Sequence, residues 1–232
     1  MDRATNYIVN PQWDNDDKRS YRQECIIFPA KNIFGHSIPL AKQYWTLCGA
    51  HFNGDVALKG EFGQLDELDL ILPHQFHGVD RESSIIKGNK KFYPEANWIC
   101  GDFKEVMQEY ALRGDFNPAI IHFDCVNSIK FAVPYVTRLF WFIDNNVPDS
   151  MMFVINLMLN NPYRIRKELH GRAFIDGLLK EYNCPDHWTF VNSYYRYKGT
   201  GSRSRSVLGT FIWVKEPHSK MVYSGKRLDV DN

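Results

Sequence analysis

Four groups of glycine or polar residues each follow a short apolar run, and they hold the side chains best suited to chemistry. These groups are LCGAHFNGD at 47–55, Asp80 with Arg81, Asp102 with Phe103, and Asp124 with residues 125–128. If the apolar runs are parallel strands, all four groups lie at the carboxyl edge of one sheet. Ligands of open α/β sheets bind at that edge.

The first group has glycines at its two ends. Gly49 and Gly54 flank a segment that contains His51 and Asn53. Glycine lets the backbone approach a ligand closely, so these four residues are candidates for holding a cofactor. An ordinary turn between a strand and a helix also needs glycine, and this alternative stays open.

Two aspartates recur at equivalent strand ends. Asp80 can accept hydrogen bonds from the hydroxyls of a ribose, and Arg81 beside it joins the candidate site. Asp102 can bind the amino group of an adenine, while Phe103 packs against the base. Each aspartate also stands near the start of a predicted helix and can instead act as an N-cap.

The fourth group, AIIHFDCVNS, places several polar residues after a buried run. Asp124 can accept a proton or orient an amine or hydroxyl, and Asn127 can form a hydrogen bond to the same group, so both are candidate catalytic residues. Cys125 and Ser128 are candidate substrate contacts. A lone cysteine at a strand end is more typical of a small buried hydrophobe than of a nucleophile.

The elements that must position these groups alternate along the chain. We predict strands at about 44–48, 76–80, 97–100, 118–123 and 151–157, and helices at about 56–71, 83–92, 103–112, 127–145 and 162–182. Ser83, Ser84 and Asp102 are the expected N-caps. The patterns DHWTFVNSYYRY and SVLGTFIWVKE, joined by KGTGSRSR, indicate a closing antiparallel hairpin. The prediction is an α/β fold with three layers and a mostly parallel sheet of seven strands.

This element order resembles the class I S-adenosylmethionine-dependent methyltransferases from about Tyr44 to Pro217, most closely in HGVDRESSIIKGNKKFYPEANWICGDF. The resemblance implies a Rossmann-like domain that binds S-adenosylmethionine (SAM) through the first three groups and a methyl acceptor near Asp124. The family's first loop is usually G-x-G-x-G, of which Gly49 and Gly54 remain. The D/N-P-P-Y/F motif of its amino-methylating nucleic-acid enzymes is absent.

The acceptor is less clearly marked than the cofactor. In SYYRYKGTGSRSRS, Tyr195 and Arg196 combine an aromatic face with a cation, as stacked bases and phosphates require. Tyrosine is also simply a good strand former. Because Lys plus Arg number 28 against 27 Asp plus Glu, the net charge does not indicate the class of acceptor. Nucleic acid is therefore favoured only slightly over a small molecule.

Two other functions are considered. A catalytically inactive binding or assembly protein of the same fold would explain the reduced glycine loop. A nicotinamide oxidoreductase is disfavoured because G-x-G-x-x-G is missing and a hairpin closes the chain.

Composition sets the outer limits. The 232 residues fit an N-terminal arm or covering extension (1–41), one Rossmann-like domain (42–217) and a tail (218–232). Five cysteines without a C-x-x-C pair indicate a reducing compartment, and we expect a cytoplasmic protein. We expect no membrane partner and no metal, because no long apolar run and no H-E-x-x-H motif occurs. The oligomeric state is left open.

Overall fold

The computed structural model describes residues 16–125, 129–147, 149–158, 188–192 and 208–215. In chain order the elements are α1 (Asp16–Arg22), a π-helical turn (Gln23–Ile27), α2 (Phe28–Phe34), β1 (Gln43–Leu47), β2 (Phe52–Asn53), β3 (Val56–Ala57), α3 (Gly60–Glu67), a 3-10 turn (Pro73–Gln75), β4 (Phe76–Asp80), α4 (Ser83–Phe92), β5 (Asn97–Cys100), α5 (Phe103–Leu112), β6 (Pro118–Cys125), α6 (Ile129–Asn146), β7 (Met151–Met158), β8 (Trp188–Asn192) and β9 (Leu208–Lys215).

Seven of these strands form one sheet in the order β5-β4-β1-β6-β7-β9-β8. The first five in that order pair in parallel, whereas β9 is antiparallel to both β7 and β8. The predicted α/β fold, with its closing antiparallel hairpin, is therefore confirmed. Because the parallel strands run in one direction, their carboxyl ends meet at one edge of the sheet.

The two faces of the sheet are buried in different cores. Successive side chains of a strand point to opposite faces, and the neighbours Tyr44 and Trp45, both fully buried, accordingly join separate clusters. Trp45 lies with residues of α5 and α6, and Tyr44 lies with residues of the N-terminal helices, α3 and α4. This arrangement gives the three predicted layers.

The N-terminal segment differs from the covering extension expected for it. From Asp16 to Phe34 the backbone is helical, and Cys25, Ile26 and Ile27 are at most 1% exposed within the second core cluster. Pro29 lies in the first turn of α2, which directly follows the π-helical turn Gln23–Ile27. These residues therefore build the core, and Pro29, which suggested an irregular covering segment, lies within a helical run.

The predicted helix at 56–71 is also shorter than expected. Phe52–Ala57 forms a small antiparallel hairpin that turns at Gly54, whose φ of 58° suits glycine, and α3 begins only at Gly60. The prediction of helix at 162–182 lies outside the described residues. No helix in the described part of the chain is long and apolar enough to span a membrane.

Candidate functional site

The carboxyl edge of the sheet brings together three of the four predicted groups and the first residue of the fourth. The loop after β1, Asp80 at the end of β4, Asp102 after β5 and Asp124 near the end of β6 all lie there. The side chain of Cys125 and residues Asn127 and Ser128 lie outside the described part of the structure, as do Tyr195 and Arg196.

The loop after β1 is fixed by side-chain hydrogen bonds. Asn89 of α4 donates from Nδ2 to the Gly49 carbonyl at 3.0 Å and accepts from the His51 backbone N–H at 2.8 Å. The His51 ring accepts at Nε2 from the backbone N–H groups of Glu61 and Phe62, at 3.1 and 3.3 Å. Nδ1 therefore carries the ring proton, which it donates to the Gly49 carbonyl at 3.1 Å.

The other two candidate residues of this first group, Asn53 and Gly54, belong to the β2–β3 hairpin. Asn53 ends the short strand β2, and Gly54 is exposed at the turn of the hairpin. Gly49 and Ala50 are the residues that directly follow β1 and its continuation at Cys48.

Asp80 does not cap a helix. The N-cap of α4 is Glu82, which makes no side-chain cap, so the expected caps Ser83 and Ser84 were wrong. The Asp80 carboxylate accepts from the Glu82 N–H at 2.8 Å, and its partial burial raises its pKa. No cation of the described residues pairs with Asp80, since the adjacent Arg81 bonds to Asp102. The carboxylate is therefore available to a ligand.

Asp102, in contrast, is the predicted N-cap. It accepts from the N–H groups of Lys104 and Glu105 at 3.1 and 3.3 Å, and Tyr135 donates to it at 3.3 Å. Burial opposes its charge, but the bond from Arg81 and the backbone N–H groups lower the pKa of Asp102. Asp102 and Arg81 are thus already partnered within the protein.

Phe103 lies beneath this cap and not at its surface. Its side chain is 2% exposed and packs on Phe123, with ring centroids 5.7 Å apart. Phe123 in turn stacks on Tyr135 at 5.2 Å. This aromatic stack supports the start of α5.

A buried polar network, here called the Glu61 network, lies beside these strand ends. Its members are all at most 7% exposed and come from α1, α3 and four strands: Tyr21, Tyr44, Thr46, Glu61, His122, Asn156 and Thr210. Glu61 accepts from Tyr44 and lies 2.7 Å from His122 Nδ1. His122 Nε2 lies 2.7 Å from Asn156 Nδ2, and Tyr21 donates to Asn156 Oδ1.

The network carries a buried charge pair. Burial favours the neutral carboxyl of Glu61, but the charge and hydrogen bond of His122 outweigh it and lower the pKa of Glu61 to about 2. Burial likewise opposes a charged His122, yet Glu61 raises the pKa of His122 above its ordinary value. The two side chains therefore stabilise each other's charged form.

A small cavity opens between α1 and the strand ends. Its volume is about 30 Å³, enough for a water molecule or a small polar group, and every residue that lines it carries a polar side chain. The lining residues are Lys18, Tyr21, Arg22, Glu61, His122, Asp124 and Asn156. Asp124 is partly buried and receives no hydrogen bond or salt bridge from any residue that the structure describes.

Several residues of this site were missed from the sequence. Asn156 stands inside the apolar run MMFVINLM. Because an amide in a buried strand requires hydrogen-bond partners, the sequence alone could have indicated that this residue belongs to a polar site. Glu61 and Asn89 gave none, because a polar residue on a predicted helix is ordinarily exposed. Within the described residues no group of His, Cys, Asp and Glu could hold a metal ion.

Comparison with known proteins bears on the fold. No family model and no curated protein matches the sequence. Among solved structures, the plantazolicin methyltransferase BpumL in complex with a triazolic desmethylPZN analog and SAH has a TM-score of 0.53 at 13% identity, covering 88% of this chain and 86% of that chain. The plantazolicin methyltransferase BamL with the same two ligands has a TM-score of 0.52 at 16% identity, covering 87% and 85%. The chain therefore has the fold of class I SAM-dependent methyltransferases, as its element order predicted.

Proposed function

We propose that the protein is a SAM-dependent methyltransferase. The observation that carries this proposal is Asp80, a partly buried carboxylate at the end of β4 that neither caps a helix nor pairs with a cation of the described residues. A carboxylate at that position suits the two hydroxyls of a ribose. The solved neighbours BpumL and BamL, which share the fold, are complexes with SAH.

The residues at the sheet edge fit this cofactor. Asp80 would hold the ribose, and the backbone after β1 at Gly49 and Ala50 would contact the amino-acid part. Asp102 and Arg81, already paired, would border the base. When bound, SAM would supply a methyl group on a sulfonium. The leaving group is the neutral thioether of SAH, so its departure needs neither a metal ion nor an acid. The protein therefore has mainly to align the acceptor and exclude water.

The acceptor would enter at the cavity beside Asp124. A carboxylate that none of the described residues pairs with, in a cavity lined by polar side chains, favours a group that carries N–H or O–H, because such a group donates to it and can lose a proton there. Asp124 would orient that group, and Asn127 remains the proposed second contact. Nucleic acid stays the acceptor class that Tyr195 and Arg196 favour, as a proposal from sequence.

Isothermal titration with SAM, SAH and NAD tests the proposal. We expect the two sulfur compounds to bind with micromolar affinity and NAD not to bind. Asp80→Ala should weaken SAH binding by about thirtyfold or more, since hydrogen bonds to a charged group are lost. Asp115→Ala, which removes an exposed carboxylate at the opposite edge of the sheet, serves as the matched control.

Two results would count against the proposal. Failure of the wild-type protein to bind either sulfur compound would overturn it. The protein would then be better explained as a catalytically inactive binding or assembly protein of this fold. Unchanged SAH affinity in Asp80→Ala would remove the residue on which the argument depends.

A further inference from the structure

The loop after β1 lacks most of the glycines that the resemblance led us to expect, yet it is tightly held. Ala50, His51 and Phe52 stand where small residues would let the backbone approach a ligand. The glycines are found instead in the two helices that receive these side chains. A Cβ at Gly60, the first residue of α3, would lie 2.2 Å from the His51 ring, and one at Gly88 of α4 would lie 2.1 Å from the Phe52 ring.

Both helices hold the loop by hydrogen bonds as well as by packing. The Gly49 carbonyl accepts from two side-chain donors, Asn89 Nδ2 at 3.0 Å and His51 Nδ1 at 3.1 Å. Asn89 is fully buried, and its oxygen accepts from the His51 backbone. The peptide that joins Gly49 to Ala50 is thus fixed from the side of α3 and α4.

The orientation of that peptide has a chemical consequence. In a trans peptide the carbonyl and the following N–H point in opposite directions. Since the Gly49 carbonyl faces Asn89, the Ala50 N–H points away from α4. Ala50 is 8% exposed, and no acceptor for its N–H occurs among the described residues. An N–H in a residue so little exposed needs an acceptor, which a bound ligand or solvent must supply.

We propose that Asn89 is a positioning residue for the cofactor site. Together with His51 it fixes the Gly49–Ala50 peptide so that the Ala50 N–H is presented to a bound acceptor group such as a carboxylate. Asn89 acts through this peptide and does not itself touch the ligand. The proposal rests on the proposed function, because it assigns the ligand of that N–H to the same cofactor.

Asn89→Leu, compared with Gln75→Met, tests this role. Gln75 is an equally suitable buried amide at the opposite edge of the sheet, where its Nε2 donates to the carbonyls of Pro39 and Lys42 at 2.8 and 2.9 Å. Both variants lose a buried amide with backbone partners, so both should unfold at a lower temperature. Only Asn89→Leu should weaken SAH binding, by about tenfold or more, at a temperature where both are folded.

Asn89→Asp provides a second test that preserves volume. Its carboxylate can still accept from the His51 N–H but cannot donate to the Gly49 carbonyl, so SAH binding should again weaken by about tenfold. Wild-type protein that binds SAH, together with either Asn89 variant binding within about twofold of wild type, would overturn the positioning role while the proposed function stands. Wild-type protein that does not bind SAH would instead overturn the proposed function.

Discussion

His77 should make the protein sensitive to mild acid. It lies in β4, is 6% exposed, and stacks on Trp45 with ring centroids 4.5 Å apart. Its Nδ1 lies 3.0 Å from the Gln75 carbonyl, so the neutral ring donates there. Burial lowers the pKa of His77 to about 4 from an ordinary value of 6.5, an effect that the Gln75 carbonyl only partly offsets.

The sign and size of the effect follow from these two pKa values. Between about pH 6.5 and pH 4 the unfolded chain binds a proton at His77 and the native protein does not. The free energy of unfolding therefore falls as the pH falls through that window. A difference of about 2.5 pKa units corresponds to about 3 kcal/mol once the window has been crossed.

The variant His77→Phe keeps an aromatic ring beside Trp45 but cannot take up a proton. Urea unfolding of both proteins at about pH 7.5 and about pH 4.5 should show a fall in stability that is smaller in the variant by about 2 to 3 kcal/mol. The variant also loses the hydrogen bond from His77 to the Gln75 carbonyl. Because each protein is compared with itself at the two pH values, this loss of stability does not enter the comparison. Equal falls in the two proteins would refute the argument that His77 is held neutral by burial.

Two further predictions concern the site. Glu61→Gln leaves His122 buried without its charge partner and should lower the free energy of unfolding at neutral pH by about 3 to 5 kcal/mol in urea unfolding. If the double variant Glu61→Gln/His122→Gln loses as much stability as Glu61→Gln alone, the unpaired charge of His122 is not the cause of the loss. Gly60→Ala should cost about 2 to 5 kcal/mol, because a φ of 55° and contact with the His51 ring both oppose a Cβ. Gly54→Ala, with a φ of 58° and open space around it, should cost only about 1 to 2 kcal/mol, and equal losses in thermal unfolding would contradict the role of the ring.

The sequence predicted those elements whose signal is local. Ser83–Phe92 and Phe103–Leu112 have the predicted helical bounds, and each parallel strand lies within about two residues of its predicted position, because apolar runs and breaks between them mark such elements directly. The N-terminal helices were missed for the opposite reason. Proline normally predicts a break in a helix, whereas Pro29 lies just after a π-helical turn inside a continuous helical segment.

The site was predictable at the level of strand ends but not of contacts. Asp80 and Asp102 carry the same local signal, and only the structure separates an available carboxylate from a helix cap paired with Arg81. The partners of the loop after β1 were beyond sequence reasoning, because Asn89 is brought to that loop by the crossing of α4 over the sheet. A buried amide on a helix resembles an exposed one until the fold is known.

The Glu61 network also connects the charge of His122 to the hydroxyl groups around the cavity. Tyr21 and Thr210 both donate to Asn156 Oδ1, which places Nδ2 against His122 Nε2, whereas the charged ring that Glu61 stabilises must donate there. A second proton on Nε2 requires the Asn156 amide to turn over, and both hydroxyls must then accept. Hydroxyl groups can do either, so no hydrogen bond is lost in the exchange. Because Tyr21, His122 and Asn156 all line the cavity, the orientation of the Asn156 amide decides which of these three side chains donate and which accept there.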